Sequence, residues 1–272
     1  MSRRKKVFLS FLLVILWVTF YAGHITKIKR IEGSEKIGVL LMHGKSGDDR
    51  WVYPLAVGLR DAGVIVEAPS SMPWSKTRIY EKTFEESMVE IDGLVEKLKA
   101  AGASKIVVGG HCFGATAAMG YAIHHEGLSG LILLAPGHLT SAKRFGAFVK
   151  DSVAKAEEMI RSGRGEEKAH FKDLNMGEPF TRYVSAKLYY SWFAPDGPAS
   201  FAKNAEDLKP GTPLLYIVAS KQKKIAISKN PAFAFEKAPP HPNSKFVTIS
   251  SDHLHTPGDS LEVVTDWLRT LK

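Results

Sequence analysis

The sequence predicts an α/β fold: a mostly parallel central sheet flanked by helices, with a helical cap insertion. Three observations predict it. Short apolar runs at residues 37–42, 64–68, 128–135, 212–219 and 245–250, and another opening at Lys105, read as buried strands. Helical segments separate most of these runs, which calls for right-handed crossovers and therefore parallel pairing. The stretch 137–210 is too long for a simple strand-to-helix connection and reads as a cap over the sheet's C-terminal edge.

Each element has its own justification. Residues 25–31 read as a short edge strand or a linker. The strand 37–42 runs into His43-Gly44 and a loop over 45–50. Pro54 near the start and Gly63 just past the end bracket a short helix. Thr83-Phe84-Glu85-Glu86 is a capping box. The helix it opens sets Phe84, Met88, Ile91, Val95 and Leu98 on one face and stops at Gly102. Residues 105–118 read as a strand, a sharp turn and a helix of small residues. The strand 128–135 is broken by Pro136-Gly137. Residues 141–164 form a helical pattern with alternating charges. An aromatic-rich part follows, with Phe171, Phe180, Tyr183, Tyr189, Tyr190, Trp192 and Phe193. Asp259 reads as the cap of a terminal helix with Leu261, Val264, Leu268 and Leu271 facing inward. The expected organisation is a terminal segment over 1–30 and an α/β body over 31–272. Within the body, about 138–208 forms the cap insertion and the helix after it.

The formal net charge of +9 is concentrated at one end. Residues 1–30 hold Arg3, Arg4, Lys5, Lys6, Lys27, Lys29 and Arg30 and no acid, which leaves only +2 for the rest. The body carries no basic stripe interleaved with aromatics, so nucleic acid is not an expected partner. The basic cluster at 3–6 precedes an uncharged run over 7–23, about 25 Å long as a helix. It reads as an uncleaved membrane anchor that leaves the body on the extracytoplasmic side. The alternative is a cleaved signal segment and secretion. A single cysteine, Cys112, excludes any disulfide within the chain.

That cysteine sits in Gly110-His111-Cys112-Phe113-Gly114. A nucleophile on a strand-to-helix corner needs glycines two residues before and after it, where side chains would collide. The helix N-terminus beyond favours a thiolate. With serine for cysteine, the pattern is the nucleophile elbow of α/β-hydrolases. The order of His43-Gly44 loop, elbow, cap and late histidine resembles that superfamily across residues 37–272. The Gly-x-Cys-x-Gly form is similar to the dienelactone-hydrolase-like subgroup.

The resemblance implies the roles. Cys112 is the expected nucleophile. The backbone N–H groups of Phe113 and Lys45 form the expected oxyanion hole. His253, in Asp252-His253-Leu254-His255-Thr256-Pro257, is the expected base, with His255 as its competitor. The orienting acid normally follows the penultimate strand, but that stretch reads Ser220-Lys221-Gln222-Lys223-Lys224. Gln222 takes that position, and its amide oxygen can fix the imidazole tautomer without stabilising an imidazolium. A thiol, being more acidic than a hydroxyl, needs less help. Asp48, Asp49 and Asp196 are possible surrogate acids that the sequence does not place. Asp252 is a poor substitute acid, since neighbouring side chains in extended structure point apart. His43 and His111 read as structural, and His124, His125, His138, His170 and His241 as surface or loop residues. Trp51, Trp74 and the cap aromatics could line a pocket or simply pack.

The expected activity is cleavage of a small ester, thioester or lactone through an acyl-enzyme on Cys112, so the expected partner is a small-molecule acyl substrate. Two alternatives stay open: a catalytically degenerate scaffold that only binds, and thiol redox chemistry without a resolving cysteine. No Gly-x-Gly-x-x-Gly, P-loop or clustered metal ligands occur, so no cofactor is expected. The sequence does not speak to oligomeric state.

Overall fold

The computed structural model describes residues 29–221 and 232–271. Six strands form one all-parallel sheet: β1 (Ile37–Met42), β2 (Ile65–Glu67), β3 (Lys105–His111), β4 (Gly130–Leu134), β7 (Leu214–Ala219) and β8 (Lys245–Ile249), ordered β2-β1-β3-β4-β7-β8. Side chains alternate across a strand. In β1, Leu40 and Met42 therefore enter the core on one face of the sheet while Val39 and Leu41 enter the core on the other.

Helices cover both faces. α1 (Tyr53–Asp61) starts with proline in its first turn, as expected, and packs against the second core through Leu55, Ala56 and Leu59. α2 (Phe84–Ala100) opens on the expected capping box: the Glu86 N–H donates to Thr83 Oγ1 at 3.2 Å and the Thr83 N–H to Glu86 Oε2 at 2.9 Å. Its five expected inward residues are all buried. α3 (Phe113–Ala122) is buried along its whole length. Its small residues allow that: a Cβ on Gly114 would lie 2.3 Å from the Met42 carbonyl oxygen, so only glycine lets the helix approach the sheet so closely.

The insertion between β4 and β7 contains α4 (Lys143–Arg161), an antiparallel hairpin of β5 (Lys168–Asn175) and β6 (Glu178–Ser185), then α5 (Ala186–Phe193) and α6 (Phe201–Glu206). The helices were expected and the hairpin was not. Its two-residue turn, Met176-Gly177, has φ of 52° and 84°, the primed geometry that matches strand twist. Methionine there hides the usual Asn-Gly signal, and Pro179 argues against a strand. The aromatic-rich part accordingly divides: Phe171, Tyr189, Trp192 and Phe193 are buried, whereas Phe180 and Tyr183 on β6 are exposed.

The chain ends with α7 (Phe233–Lys237), a short α8 (Thr256–Asp259) and α9 (Leu261–Leu268). Asp259 is not a cap but the last residue of α8, and its carboxylate accepts from Ser251 Oγ at 2.6 Å.

The expectation of a membrane anchor is corrected. No helix among the described residues is long and apolar enough to cross a membrane. The long helices α2 and α4 are amphipathic, with charged outer faces and only one face buried. The run 7–23 on which the expectation rested lies outside the described residues. The membrane as partner and the tethered, extracytoplasmic placement fall with the anchor.

Candidate active site

The site lies beyond the C-terminal ends of β1, β3 and β4, where open parallel sheets gather their chemistry. Cys112 joins β3 to α3 with φ 56° and ψ −112°, a conformation that costs a non-glycine residue free energy and persists only when its surroundings enforce it. Three glycines make room. A Cβ on Gly110 would lie 2.5 Å from the backbone of Gly114, and one on Gly44 would lie 3.1 Å from Cys112 Cβ. On Gly137, just after β4, a Cβ would lie 2.5 Å from Cys112 Sγ. The corner is also tied to β4: the Cys112 N–H donates to Leu134 O at 2.9 Å and the Gly137 N–H to Cys112 O at 3.0 Å.

The loop after β1 is pinned beside the sulfur. Trp74 Nε1–H donates to His43 O at 2.8 Å, the Ser46 N–H to Trp74 O at 2.8 Å, and His43 Nδ1 bonds Gly44 O at 2.8 Å. His43 and Trp74 are therefore structural, and burial holds the His43 imidazole below its ordinary pKa. The Lys45 N–H points at the thiol. Phe113 opens α3, whose first N–H groups have no partners within the helix. Both expected oxyanion donors thus flank Cys112.

His253 lines the same pocket as Cys112. Its backbone is held by His111, whose Nε2–H donates to His253 O at 2.7 Å, with the two rings 4.6 Å apart. Burial, and then the charge His253 can carry, push His111 down to about 3, so it acts as a neutral strut. Burial opposes ionisation of the Cys112 thiol. The charge and hydrogen bond offered by His253, the Lys45 ammonium and the Lys45 N–H outweigh it, leaving the thiol below its ordinary pKa.

The other candidates separate. His255 is exposed and pairs with Asp252 at 2.8 Å, which occupies both residues away from the thiol. Asp48 bonds Arg50 at the surface, and Asp196 is exposed. Gln222 lies outside the described residues. The chain reaches the His253 loop one residue before it, where the Lys221 N–H donates to Ser251 O at 3.0 Å.

One polar cluster went unread in the sequence. His138, expected as a surface or loop residue, does lie in a loop, but it is 7% exposed and lines the pocket. Its Nε2–H donates to Trp192 O at 2.6 Å, which leaves Nδ1 to accept from Lys45 Nζ at 3.3 Å. Lys45 Nζ also donates to Asp173 Oδ1 at 2.6 Å and Leu174 O at 2.8 Å. Asp173, fully buried on β5, takes Arg182 Nε at 3.0 Å and Tyr80 Oη–H at 3.2 Å on its other oxygen. Burial opposes the Asp173 charge, but the Lys45 and Arg182 cations hold the carboxyl below its usual range. A sequence signal existed: Asp173 shares the inward face of β5 with Phe171, and an acid at an inward position requires a cation.

The pocket above Cys112 has two lobes. One is chiefly apolar, with Pro136, Leu139, Ala142, Phe145 and Leu174, and spans about 630 Å³ out to its open mouth. The other, bordered by Ser46, Asp48, Trp51 and His111, is lined by mostly apolar surface as well. Asn175 and Met176 from the hairpin tip border both. Among the described residues no group of side chains could hold a metal ion.

Comparison with known proteins agrees with this architecture. The Paleococcus ferrophilus monoacylglycerol lipase is 20% identical over 90% of this chain and 96% of its own, with a TM-score of 0.62. Est1E from Butyrivibrio proteoclasticus, solved with ferulic acid, is 18% identical over 89% and 90%, with a TM-score of 0.57. The siderophore hydrolase EstB from Aspergillus fumigatus is 14% identical over 90% and 92%, with a TM-score of 0.55. At these identities the likeness is one of fold. No curated protein sequence matches the chain. The profile of the alpha/beta hydrolase family matches residues 39–266, nearly the whole body, and the chain belongs to that family.

Proposed function

We propose that the protein hydrolyses small esters, thioesters or lactones through a thiolate on Cys112. The observation that carries this is the sulfur itself: perched on a strained corner, facing His253 and the Lys45 N–H, at the floor of a two-lobed pocket. The solved relatives named for lipase, siderophore hydrolase or ferulic-acid binding support the same reaction class.

The steps follow from the geometry. Cys112 Sγ forms a bond to the acyl carbon, and the carbonyl π pair moves onto oxygen. The N–H groups of Lys45 and Phe113 stabilise that oxyanion. On collapse the bond to the leaving oxygen or sulfur breaks, and His253 delivers a proton to it. Water then attacks the thioester and gives a proton to His253. The C–S bond breaks, releasing the acid and restoring the thiolate. The lobe lined by Leu139, Phe145 and Leu174 takes the acyl chain, and the lobe beside Ser46, Asp48 and Trp51 takes the leaving group.

Mass spectrometry after incubation with a panel of activated esters tests the proposal. An acyl adduct present in the wild type and absent from Cys112→Ala is expected. No adduct across the panel would leave the binding-scaffold reading, which rests on the absence of a carboxylate at 220–224.

A further inference from the structure

Lys45 has two ends with different jobs. Its backbone N–H faces the sulfur, while its ammonium is buried in the cap hairpin. The ammonium is 3% exposed and its carboxylate partner Asp173 is fully buried. All three ammonium hydrogens have acceptors, in Asp173, Leu174 O and His138 Nδ1. A second tie runs parallel: Arg182, which bonds Asp173, also donates from Nη2 to Ser46 Oγ at 3.3 Å. Two consecutive residues of the loop after β1 are therefore fastened to the hairpin, and both fastenings meet at Asp173. The proposed chemistry draws on these side chains only through the Lys45 charge, which helps ionise the thiol less than His253 does.

A buried ion pair is poor evidence of added stability, because desolvation offsets much of the attraction. What such a pair does well is fix geometry. Here the geometry fixed is that of a loop with Ser46 at φ 54°, in which the preceding Lys45 N–H must meet a developing negative charge. Oxyanion donors contribute only when their placement is set in advance.

We propose that Asp173 is a positioning residue: by holding the Lys45 and Arg182 side chains, it sets the Lys45 N–H against the reacting carbonyl oxygen and locks the hairpin over the site. The role rests on the hydrolytic reading for its chemical consequence, but not for its mechanical one.

The experiment uses the full chain with Asp173→Asn and, because a lone buried cation could prevent folding, the neutral pair Lys45→Met/Asp173→Asn. Lys45→Met keeps the peptide N–H. Acylation of Cys112 by a p-nitrophenyl ester, measured at high pH where the thiol is fully ionised in each variant, should fall about 100-fold, as when an oxyanion donor is lost. Alkylation by iodoacetamide, measured on its high-pH plateau, builds no oxyanion and should change little. Amide hydrogen exchange should quicken in residues 43–48 and 168–185 together and stay unchanged in β1 and β3. Acylation and alkylation falling in parallel, or unchanged exchange in 43–48, overturns the proposal. If wild-type Cys112 takes no acyl group, hydrolysis is excluded, and the exchange result alone decides the positioning role.

Discussion

Gly137 and Cys112 touch: a methyl group added to the glycine would sit 2.5 Å from the sulfur. Contacts that short are not tolerated, so the sulfur, the glycine backbone or both must move in Gly137→Ala. A displacement near 1 Å at a reacting atom costs about 100-fold in rate. Acylation of Cys112 is expected to fall by at least that much while the circular dichroism spectrum stays that of the wild type. Wild-type acylation in Gly137→Ala would show that this wall does not set the sulfur's position.

The thiol should titrate early. Burial raises its pKa, but His253 and, to a smaller extent, Lys45 pull it below the ordinary thiol value. Iodoacetamide alkylation should therefore remain fast at pH values where a free thiol, with a pKa of about 8.5, is mostly protonated. His253→Ala should move the midpoint up, and Lys45→Met should move it up by less. An unmoved midpoint in His253→Ala would separate the imidazole from the thiol.

Stability should depend on two histidines. Burial, then the charge of His253 for His111 and of Lys45 for His138, pushes both imidazoles from 6.5 down to about 3. Between those values the unfolded chain binds protons that the folded chain refuses. Stability thus rises with pH across this window and is lost on acidification below about 6.5. The loss is about 1.4 kcal/mol per pH unit for each histidine, or ~2 kcal/mol each at pH 5. Thermal unfolding should show a lower midpoint at pH 5 than at pH 7. The drop should be smaller in His138→Gln, which retains an acceptor for Lys45 and a donor for Trp192 O. A midpoint independent of pH in this range would contradict the account.

The hairpin turn offers an improvement. Met176 holds φ 52°, a left-handed conformation that asparagine tolerates better. Met176→Asn should raise stability by about 0.5 kcal/mol, read as a higher urea midpoint with an unchanged slope. A lower midpoint would mean that Met176, 39% exposed, contributes more by packing than it costs in backbone strain.

Much of this was legible in the sequence because the signals were local. The buried strands are unbroken apolar runs, the capping box is four consecutive residues, and the corner at Cys112 declares itself by Gly110 and Gly114. His138 was read as a surface or loop residue and does lie in a loop, but its burial comes from Trp192 and Phe145, which a single sequence does not bring near. Asp173 was missed with the strand that carries it, and its partner Lys45 is 128 residues away. A lysine in a glycine-rich loop looks solvated until the element that covers it is known. The 7–23 run misled in the opposite sense, since its apolar length behind the basic cluster at 3–6 suggested an anchor.

The two strands that flank the insertion, β4 and β7, are hydrogen-bonded neighbours. The sheet therefore closes across the base of the cap as if it were a surface loop. Lengthening such a loop adds little closure entropy, since the cost grows only with the logarithm of its length. Descendants of this fold can thus exchange the whole insertion, and with it the shape of the acyl lobe, without disturbing strand order. The exchange carries one condition: any replacement must bring its own carboxylate to meet Lys45, or the lysine must be lost in the same step.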